Sequence, residues 1–170
     1  MRTKTLLIAL ALALTLAACA TVPATPSASA DTGAVADTPA PLGGTLDTAG
    51  GDLIIPVAEV SETVRFYPVQ VDGVEMEVLA VKTADGVLRT AFNTCEICYT
   101  SGRGYYKQSG NVLVCQNCGS QFPMNQIEVT SNGCNPWPIF PENKTVTADT
   151  VTISYDFLKA SQQVFANWKN

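Results

Sequence analysis

The spacing of five cysteines constrains this chain more than any other feature of its sequence. They form two C-x2-C pairs, Cys95 with Cys98 and Cys115 with Cys118, followed by Cys134. Sixteen residues separate the two pairs, and fifteen separate the second pair from Cys134. Two pairs at this separation predict a tetrahedral metal site, because each pair supplies one edge of the coordination sphere once a hairpin brings them together.

The chain contains no histidine, which restricts both its catalytic chemistry and its metal ligands. A Ser-His-Asp or Cys-His nucleophile, a histidine-ligated catalytic zinc and haem attached through C-x-x-C-H are all excluded. Thiolates would hold the metal, and they suit zinc, iron, iron–sulfur clusters or Cu(I). The spacing matches neither C-x2-C-x2-C-x3-C nor C-x4-C-x2-C, so by itself it favours a four-cysteine mononuclear site over a cluster.

Other interpretations of the cysteines stay open at this point. Outside the cytoplasm paired cysteines often become disulfides, so redox-active dithiols or a structural staple compete with the metal site. No thioredoxin-like βαβ pattern surrounds them, and five cysteines would leave one unpaired. The sequence Gly133-Cys134-Asn135-Pro136 frames Cys134 in a rigid turn. This framing favours a fifth or exchangeable ligand over a buried free thiol.

The two C-x2-C pairs differ in the residues that follow them. Gly119 directly follows Cys118, and a glycine there favours a knuckle, a tight turn whose backbone N–H groups point at sulfur. The first pair lacks this glycine. Tyr99, Tyr105 and Tyr106 lie between the pairs, where we expect them either to shield sulfur from water and tune a redox centre, or to pack a small core.

The N-terminus has the pattern of an export signal. Arg2 and Lys4 precede an apolar run that is too short for an ordinary membrane-spanning helix. The run ends in Leu16-Ala17-Ala18-Cys19, which resembles the lipobox of bacterial lipoproteins; a plain secretory signal is the alternative. We therefore predict a signal peptide over residues 1–18 and lipidation of Cys19, with palmitate among the attached chains. This predicts a lipid anchor in the bacterial cell envelope, on the extracytoplasmic side, either periplasmic or at the cell surface.

Residues 19–51 are predicted to be a flexible tether that carries the lipidated Cys19, and residues 52–170 to be one domain. From Thr21 to Gly51 the chain has no Lys, Arg or aromatic residue, so it cannot bury enough apolar surface to fold. The domain has eight basic and twelve acidic residues. Without a basic run it is a poor nucleic-acid binder, and we predict no nucleic-acid partner.

The sequence pattern predicts a small β-rich α+β domain, antiparallel, with a cysteine metal-binding insertion and a C-terminal helix. Asp72-Gly73 and Asp85-Gly86 lie between apolar runs and indicate hairpins. The helix is predicted over Asp156–Trp168, with Asp156 as its cap and its apolar face on the sheet. The predicted strands are Leu53–Ile55, Val64–Val71, Glu75–Lys82, Val87–Phe92, Val112–Val114 and Thr145–Tyr155, the last interrupted near Asp149.

Taken together, these motifs resemble one known family, the membrane iron–sulfur-containing (FtrD-like) family. The five-cysteine pattern makes the resemblance specific. It implies that the five cysteines form the family's centre, and that the centre is iron or an iron–sulfur cluster. In this family the domain occurs in membrane proteins or exported lipoproteins linked to iron uptake with an iron permease. The matching segments are Arg89–Cys98, Gly104-Tyr105, Val114–Gly119, Phe122 and Gly133–Pro136.

The resemblance implies a lipid-anchored protein that passes single electrons in iron handling rather than a hydrolytic enzyme. Its partners would be a membrane iron permease or another redox protein, which would also supply the electrons. One competing interpretation is a partner-binding module whose cysteines hold zinc, a metal without redox chemistry. Another is a thiol–disulfide redox protein that works without a metal. Cu(I) is a further metal that the thiolates suit.

The predicted lipid anchor determines where the chain is found in cells. Cys19→Ser removes the sulfur that would carry the lipid, so we expect the chain to move from the membrane to the soluble fraction. Immunoblotting of fractionated cells measures this, with Cys134→Ser as a thiol-loss control that stays with the membrane. Persistent membrane association of the Cys19→Ser chain would contradict the anchor.

Overall fold

The computed structural model describes residues 46–47 and 50–170. The predicted signal peptide, Cys19 and most of the predicted tether lie outside the described residues. The α-helix, α1, spans Tyr155–Ala160. The strands of the described part are β1 Leu46–Asp47, β2 Leu53–Pro56, β3 Arg65–Val71, β4 Val74–Lys82, β5 Leu88–Cys95, β6 Tyr106–Ser109, β7 Val112–Cys115, β8 Gln121–Pro123, β9 Pro136–Pro138, β10 Thr145–Val146 and β11 Thr150–Ile153.

These strands form three sheets. The largest has the order β1-β3-β4-β5-β9 and is antiparallel except for the short β1, which runs parallel to β3. The sheets β10-β11-β2 and β6-β7-β8 are antiparallel throughout. The β6-β7-β8 sheet lies between β5 and β9 in the sequence, where the cysteine insertion is predicted. The predicted β-rich α+β fold with antiparallel sheets is confirmed.

The predicted hairpins form the middle of the largest sheet. Asp72 and Gly73 make a two-residue turn, so that Val71 pairs directly with Val74 across β3 and β4. The two turn residues have φ of 48° and 82°, as a type I′ turn requires. The second hairpin joins β4 to β5 through residues 83–87, which include Asp85-Gly86.

The β4 strand lies between two hydrophobic cores, and its side chains alternate between them. Val78 and Ala80 belong to the first core, whereas Leu79 and Val81 belong to the second. All four side chains are fully buried. Polar and apolar residues therefore alternate only in the first half of β4. We call the second core the cysteine-side core. Its buried members are Val64, Leu79, Val81, Ala91, Cys95, Cys98, Tyr106, Leu113, Cys115, Phe122, Met124 and Ile127.

The C-terminal helix is shorter than predicted. After α1 comes a separate 3-10 helix over Gln162–Phe165, where the sequence pattern predicts one continuous helix from Asp156 to Trp168. The prediction of Asp156 as the cap is wrong. Ser154 caps α1, because its Oγ accepts a hydrogen bond from Phe157 N at 3.3 Å and satisfies a donor that the helix leaves free.

The apolar side of this C-terminal segment packs on the first core, as predicted. Leu158, Val164 and Phe165 are buried there. Phe92 of β5 stacks on Phe157 with ring centroids 5.7 Å apart, and it meets Phe165 edge-on at 5.6 Å. Fully burying a side chain such as phenylalanine contributes about 1.5–3 kcal/mol, so these contacts hold β5 firmly against the segment.

The sequence pattern predicts none of β1, β6, β8 and β9. Both β8 and β9 contain proline, which argues against a central strand. They lie at sheet edges, where a missing N–H group removes no ladder bond. Residues 46–47 lie within the predicted tether, and they pair with Val69 and Gln70 of β3.

A buried ion pair holds the segment before Cys134 against β5. The side chains of Lys144 and Glu128 contact each other and are only 4% and 8% exposed. Glu128 Oε1 also accepts hydrogen bonds from the backbone N–H and the hydroxyl of Thr90, at 2.5 and 3.0 Å. Burial lowers the pKa of Lys144, and the neighbouring carboxylate opposes that change. Removing one member of such a pair leaves the other buried without a counter-charge.

We predict that Lys144→Ala lowers the free energy of unfolding by about 3–5 kcal/mol, the usual cost of breaking a buried ion pair. Urea unfolding followed by tryptophan fluorescence measures the change. Lys159→Ala is the matched control, because Lys159 pairs with Asp72 at 2.8 Å on an exposed part of the surface. We expect a much smaller effect there. Equal losses in the two variants would contradict the assignment of the buried pair.

Candidate metal centre

The ends of two strands bring the cysteines together. Cys95 and Cys115 are the last residues of β5 and β7. Cys98 and Cys118 follow in the turns after these strands, and Cys134 precedes β9, which pairs with the end of β5. Residues that are far apart in the sequence therefore meet where the largest sheet approaches the β6-β7-β8 sheet.

The five sulfurs form two overlapping triads. The first contains Cys95, Cys98 and Cys115, and its sulfurs lie within 4.8 Å of one another. The second contains Cys98, Cys118 and Cys134, whose sulfurs also lie within 4.8 Å of one another. Cys98 therefore belongs to both triads. Cys118 Sγ and Cys134 Sγ are 3.7 Å apart. A tetrahedron with metal–sulfur bonds of about 2.3 Å has an edge of about 3.8 Å, which this spacing matches.

The two triads differ in their exposure to solvent. Cys95 and Cys115 are buried at 0% and 1% exposure, and Cys98 is buried beside them. Cys134 is half-buried and Cys118 is exposed. One face of the cluster is therefore closed by the protein core, while the other faces solvent.

The second C-x2-C pair forms the knuckle that its glycine predicts. Gly119 has a φ of +74°, and its N–H donates to the carbonyl of Cys115 at 2.9 Å. Within this turn the backbone N–H groups of Asn117 and Cys118 donate to the Cys115 sulfur, and they oppose the rise in the Cys115 pKa that burial causes. Such N–H groups stabilise a thiolate before any metal is bound.

The first pair depends on Gly104, a glycine of the family-matching segments whose structural role the sequence pattern does not reveal. Gly104 lies against the backbone carbonyl of Cys98, so close that a Cβ on residue 104 would be 2.3 Å from that oxygen. Its own carbonyl accepts a hydrogen bond from Cys95 N at 2.6 Å. Gly104 therefore fixes the turn that carries Cys98, although it lies outside the C-x2-C motif. In the sequence, the feature that could indicate this role of Gly104 is the short glycine repeat Gly102-Arg103-Gly104 between the two C-x2-C pairs.

The loop of Cys134 is fixed by Asn135, another residue whose role the sequence pattern does not reveal. Asn135 is buried, and its Oδ1 accepts a hydrogen bond from Gly133 N at 2.9 Å. Its carbonyl accepts from Glu96 N at 3.1 Å, and the Glu96 carboxylate accepts from Asn132 N. These bonds tie the Cys134 loop to the turn between Cys95 and Cys98, as expected for a rigid, aimed side chain.

The thiols differ strongly in their acidity. Hydrogen bonds from the hydroxyl and backbone N–H of Ser120 lower the pKa of Cys118 to about 6. Burial raises the pKa of Cys98 to about 12, and the hydrogen bond with Cys118 is the main cause that raises the pKa of Cys134 to about 11. Without a metal, the exposed Cys118 is thus the most acidic of these thiols. A bound cation is needed to hold several thiolates together at neutral pH.

The three tyrosines between the pairs have different positions. Tyr106 is buried in the cysteine-side core. Tyr99 packs against the first core and meets Trp137 edge-on at 5.8 Å. The ring of Tyr105 lies 5.4 Å from the ammonium group of Lys169. The shielding of sulfur expected of these residues therefore belongs to Tyr106.

The fold and the site define a small β-rich protein with a cysteine cluster of the kind that holds a metal. A family model described as membrane iron-sulfur containing protein FtrD-like matches residues 59–165, and the chain belongs to this family. The match confirms the resemblance that the motifs indicate. The family description names a membrane, yet no helix in the described part of the chain is long and apolar enough to cross one.

No curated protein matches this chain. A crystal structure of the quaternary ammonium Rieske monooxygenase CntA in complex with an inhibitor is similar over 65% of this chain, with 18% identity and a TM-score of 0.40. The chain spans 32% of that protein's length, and a likeness this weak carries no functional argument.

The residues present fit the centre that the family description names. Five thiols without any histidine make a soft donor set, which suits iron, iron–sulfur clusters and zinc alike. Knuckle N–H groups aimed at sulfur are the outer support that such centres use. The family and the cysteine cluster together indicate that the chain binds a metal or an iron–sulfur centre.

Gly104→Ala tests the support of the first pair. The added Cβ would clash with the Cys98 carbonyl, so the turn that carries the shared sulfur must move. We expect metal affinity to fall about 10–100-fold, as is usual when outer-shell support is lost. Competition with a coloured chelator measures the affinity. Gly51→Ala, where a Cβ meets nothing within 4 Å, is the control and should leave affinity unchanged. The same affinity in both variants would overturn this role of Gly104.

Proposed function

We propose that this chain is a lipid-anchored, extracytoplasmic protein that transfers single electrons through a cysteine-ligated iron or iron–sulfur centre in iron uptake. The observation that carries the proposal is the cluster of five sulfurs, closed by the core on one face and open to solvent on the other. A centre with only a structural role needs no open face. An electron-transfer centre does, because its partner has to come close to it.

The overlapping triads favour a centre with more than one metal ion. Cys118 lies in a triad with Cys98 and Cys134, whereas Cys95 and Cys115 form the other triad with Cys98. Cys98, which belongs to both triads, is placed to serve both halves of the centre. When bound, an iron or iron–sulfur centre supplies reversible one-electron chemistry.

The protein's own residues divide the remaining work. The buried Cys95 and Cys115 and the side chains around them exclude water from one side of the centre. The N–H groups of the second knuckle stabilise negative charge on sulfur. The exposed Cys118 and the half-buried Cys134 form the edge through which a reduced one-electron carrier protein donates and an acceptor receives.

The proposed anchor and tether explain how such a domain meets its partners. Lipid on Cys19 would hold the chain at the membrane, and a flexible tether over residues 19–51 would let the domain move about 30 Å root-mean-square from its anchor. That range suits contact with a membrane iron permease or a neighbouring redox protein. A formal charge of −5 for the whole chain agrees with a protein partner and argues against nucleic acid.

A thiol–disulfide redox protein is the second candidate. The observation that favours it is the 3.7 Å separation of Cys118 Sγ and Cys134 Sγ on the open face, where an external thiol could reach them. In this alternative the two thiols would be oxidised together and no metal would be bound. A zinc-bound partner-binding module shares the ligands of the leading proposal but has no redox chemistry.

Metal and sulfide content decide among these functions. The full chain is extracted in detergent, purified without oxygen and assayed for iron, zinc and acid-labile sulfide together with its visible spectrum. We expect iron with charge-transfer absorption, and sulfide would identify a cluster. Colourless protein with stoichiometric zinc, or metal-free protein with titratable disulfides, would each overturn the proposal.

Cys98→Ser and Cys134→Ser test the arrangement of the ligands. Because Cys98 belongs to both triads, we expect its substitution to remove most of the bound metal, whereas Cys134→Ser should retain metal and alter the spectrum or potential. Cys19→Ser changes the cysteine that lies outside the cluster and serves as the control. Equal metal loss from Cys98→Ser and Cys134→Ser would contradict the shared role of Cys98.

A further inference from the structure

Tyr106 carries a buried hydroxyl that the rest of the fold does not use. The residue is 1% exposed, and within residues 50–170 its hydroxyl meets no partner with hydrogen-bonding geometry. Leaving a buried hydroxyl unpaired is costly, so such a group usually indicates a missing partner. The other buried tyrosine hydroxyl without a partner in this part of the chain is that of Tyr67, which lies in the first core.

The Tyr106 side chain is directed toward the cysteine sulfurs. In the β6-β7 hairpin Tyr106 is directly opposite Cys115, and side chains of directly opposed residues share one face of the sheet. Both belong to the cysteine-side core. The thiol of Cys95 lies close enough to interact with the hydroxyl, while Cys115 and Cys134 act on it from further away. Cys95 is therefore the cysteine whose sulfur is placed to receive a hydrogen bond from this hydroxyl.

Asn93 fixes the backbone of Tyr106 in this position. Its Oδ1 accepts a hydrogen bond from Tyr106 N at 2.7 Å, and its Nδ2 donates to the Tyr106 carbonyl at 3.4 Å. Asn93 is itself buried, and its Nδ2 also donates to Glu77 Oε2 at 2.5 Å. With its backbone held and its ring buried, Tyr106 keeps its hydroxyl out of solvent, and the Cys95 sulfur is an acceptor within its reach.

We propose that the Tyr106 hydroxyl donates an O–H···S hydrogen bond to the Cys95 thiolate of the loaded centre and thereby raises its reduction potential. This inference rests on the proposed function. A thiol is a weak acceptor, whereas a metal-bound thiolate is a strong one, which explains why the partner is incomplete before loading. When the centre takes one electron from a reduced carrier, negative charge on sulfur increases and the hydrogen bond strengthens. The proton stays on the Tyr106 oxygen throughout.

Tyr106→Phe removes only the hydroxyl, and Tyr67→Phe makes the same change in the first core. The full chain, purified without oxygen, is titrated with dithionite while visible absorption and electron paramagnetic resonance are recorded. We expect the midpoint potential of Tyr106→Phe to fall by about 59 mV, which corresponds to a tenfold change in the equilibrium constant for one electron. The potential of Tyr67→Phe should equal that of the unchanged protein, with the metal content the same in all three.

Three outcomes would overturn the inference in distinguishable ways. An unchanged protein without a redox-active metal overturns the proposed function and this inference together. A loaded Tyr106→Phe variant with an unmoved potential overturns this inference alone. If Tyr106→Phe loses the metal, 3-fluorotyrosine at position 106 replaces it as the test, because this residue keeps the hydroxyl and donates more strongly. A positive shift in potential then supports the inference, and no shift overturns it.

Discussion

The structure depends on keeping five cysteine sulfurs in two overlapping triads, each with its sulfurs within 4.8 Å of one another, at the junction of two sheets. Sulfurs at this distance repel one another as thiolates, and burial makes ionisation harder still. Burial raises the pKa of Cys98 to about 12, whereas Ser120 lowers that of the exposed Cys118 to about 6. A cation resolves this conflict, because it favours several thiolates at once. Binding a metal is therefore coupled to the stability of this half of the domain.

The β5 strand links this requirement to the rest of the fold. Phe92 belongs to the first core, whereas Ala91 and Cys95 belong to the cysteine-side core. Between them, Thr94 Oγ1 donates to Val164 O at 3.2 Å, and the Asn93 carbonyl accepts from the Trp168 indole at 2.7 Å. The C-terminal segment thus holds the strand that ends in Cys95. Packing of the C-terminal segment, which is far from the cysteines in the sequence, contributes in this way to the position of the sulfurs.

The sequence predicts those parts of the molecule that depend on interactions between residues close together in the chain. Cysteine spacing, Asp-Gly turns and apolar alternation each depend on neighbours in the chain, and they identify the site, the central hairpins and the β-rich class. The second knuckle was predictable for the same reason, since Gly119 is part of its own turn. The ligand assignment itself stays a prediction.

The structural roles that the sequence does not reveal depend on contacts across long separations in the chain. Gly104 matters because it touches Cys98, and Asn135 matters because it binds Glu96; neither contact leaves a periodic signal. The β9 strand is hidden by its prolines, which are tolerated because β5 pairs with it at the edge of the sheet. Local propensity likewise favoured Asp156 as the cap, although the chain geometry gives that role to Ser154.

The two faces of the cluster serve different physical needs. On the closed face, the knuckle N–H groups and, in the inference drawn above, the Tyr106 hydroxyl act on sulfur inside the buried core, where a hydrogen bond has its greatest electrostatic effect. On the open face, Cys118 is exposed and Cys134 half-buried, but solvent weakens any field there. In the proposed electron-transfer function, the potential is therefore set from inside the protein, whereas the rate of exchange depends on the exposed edge. Substitutions on the two faces should for this reason act on different measurable quantities.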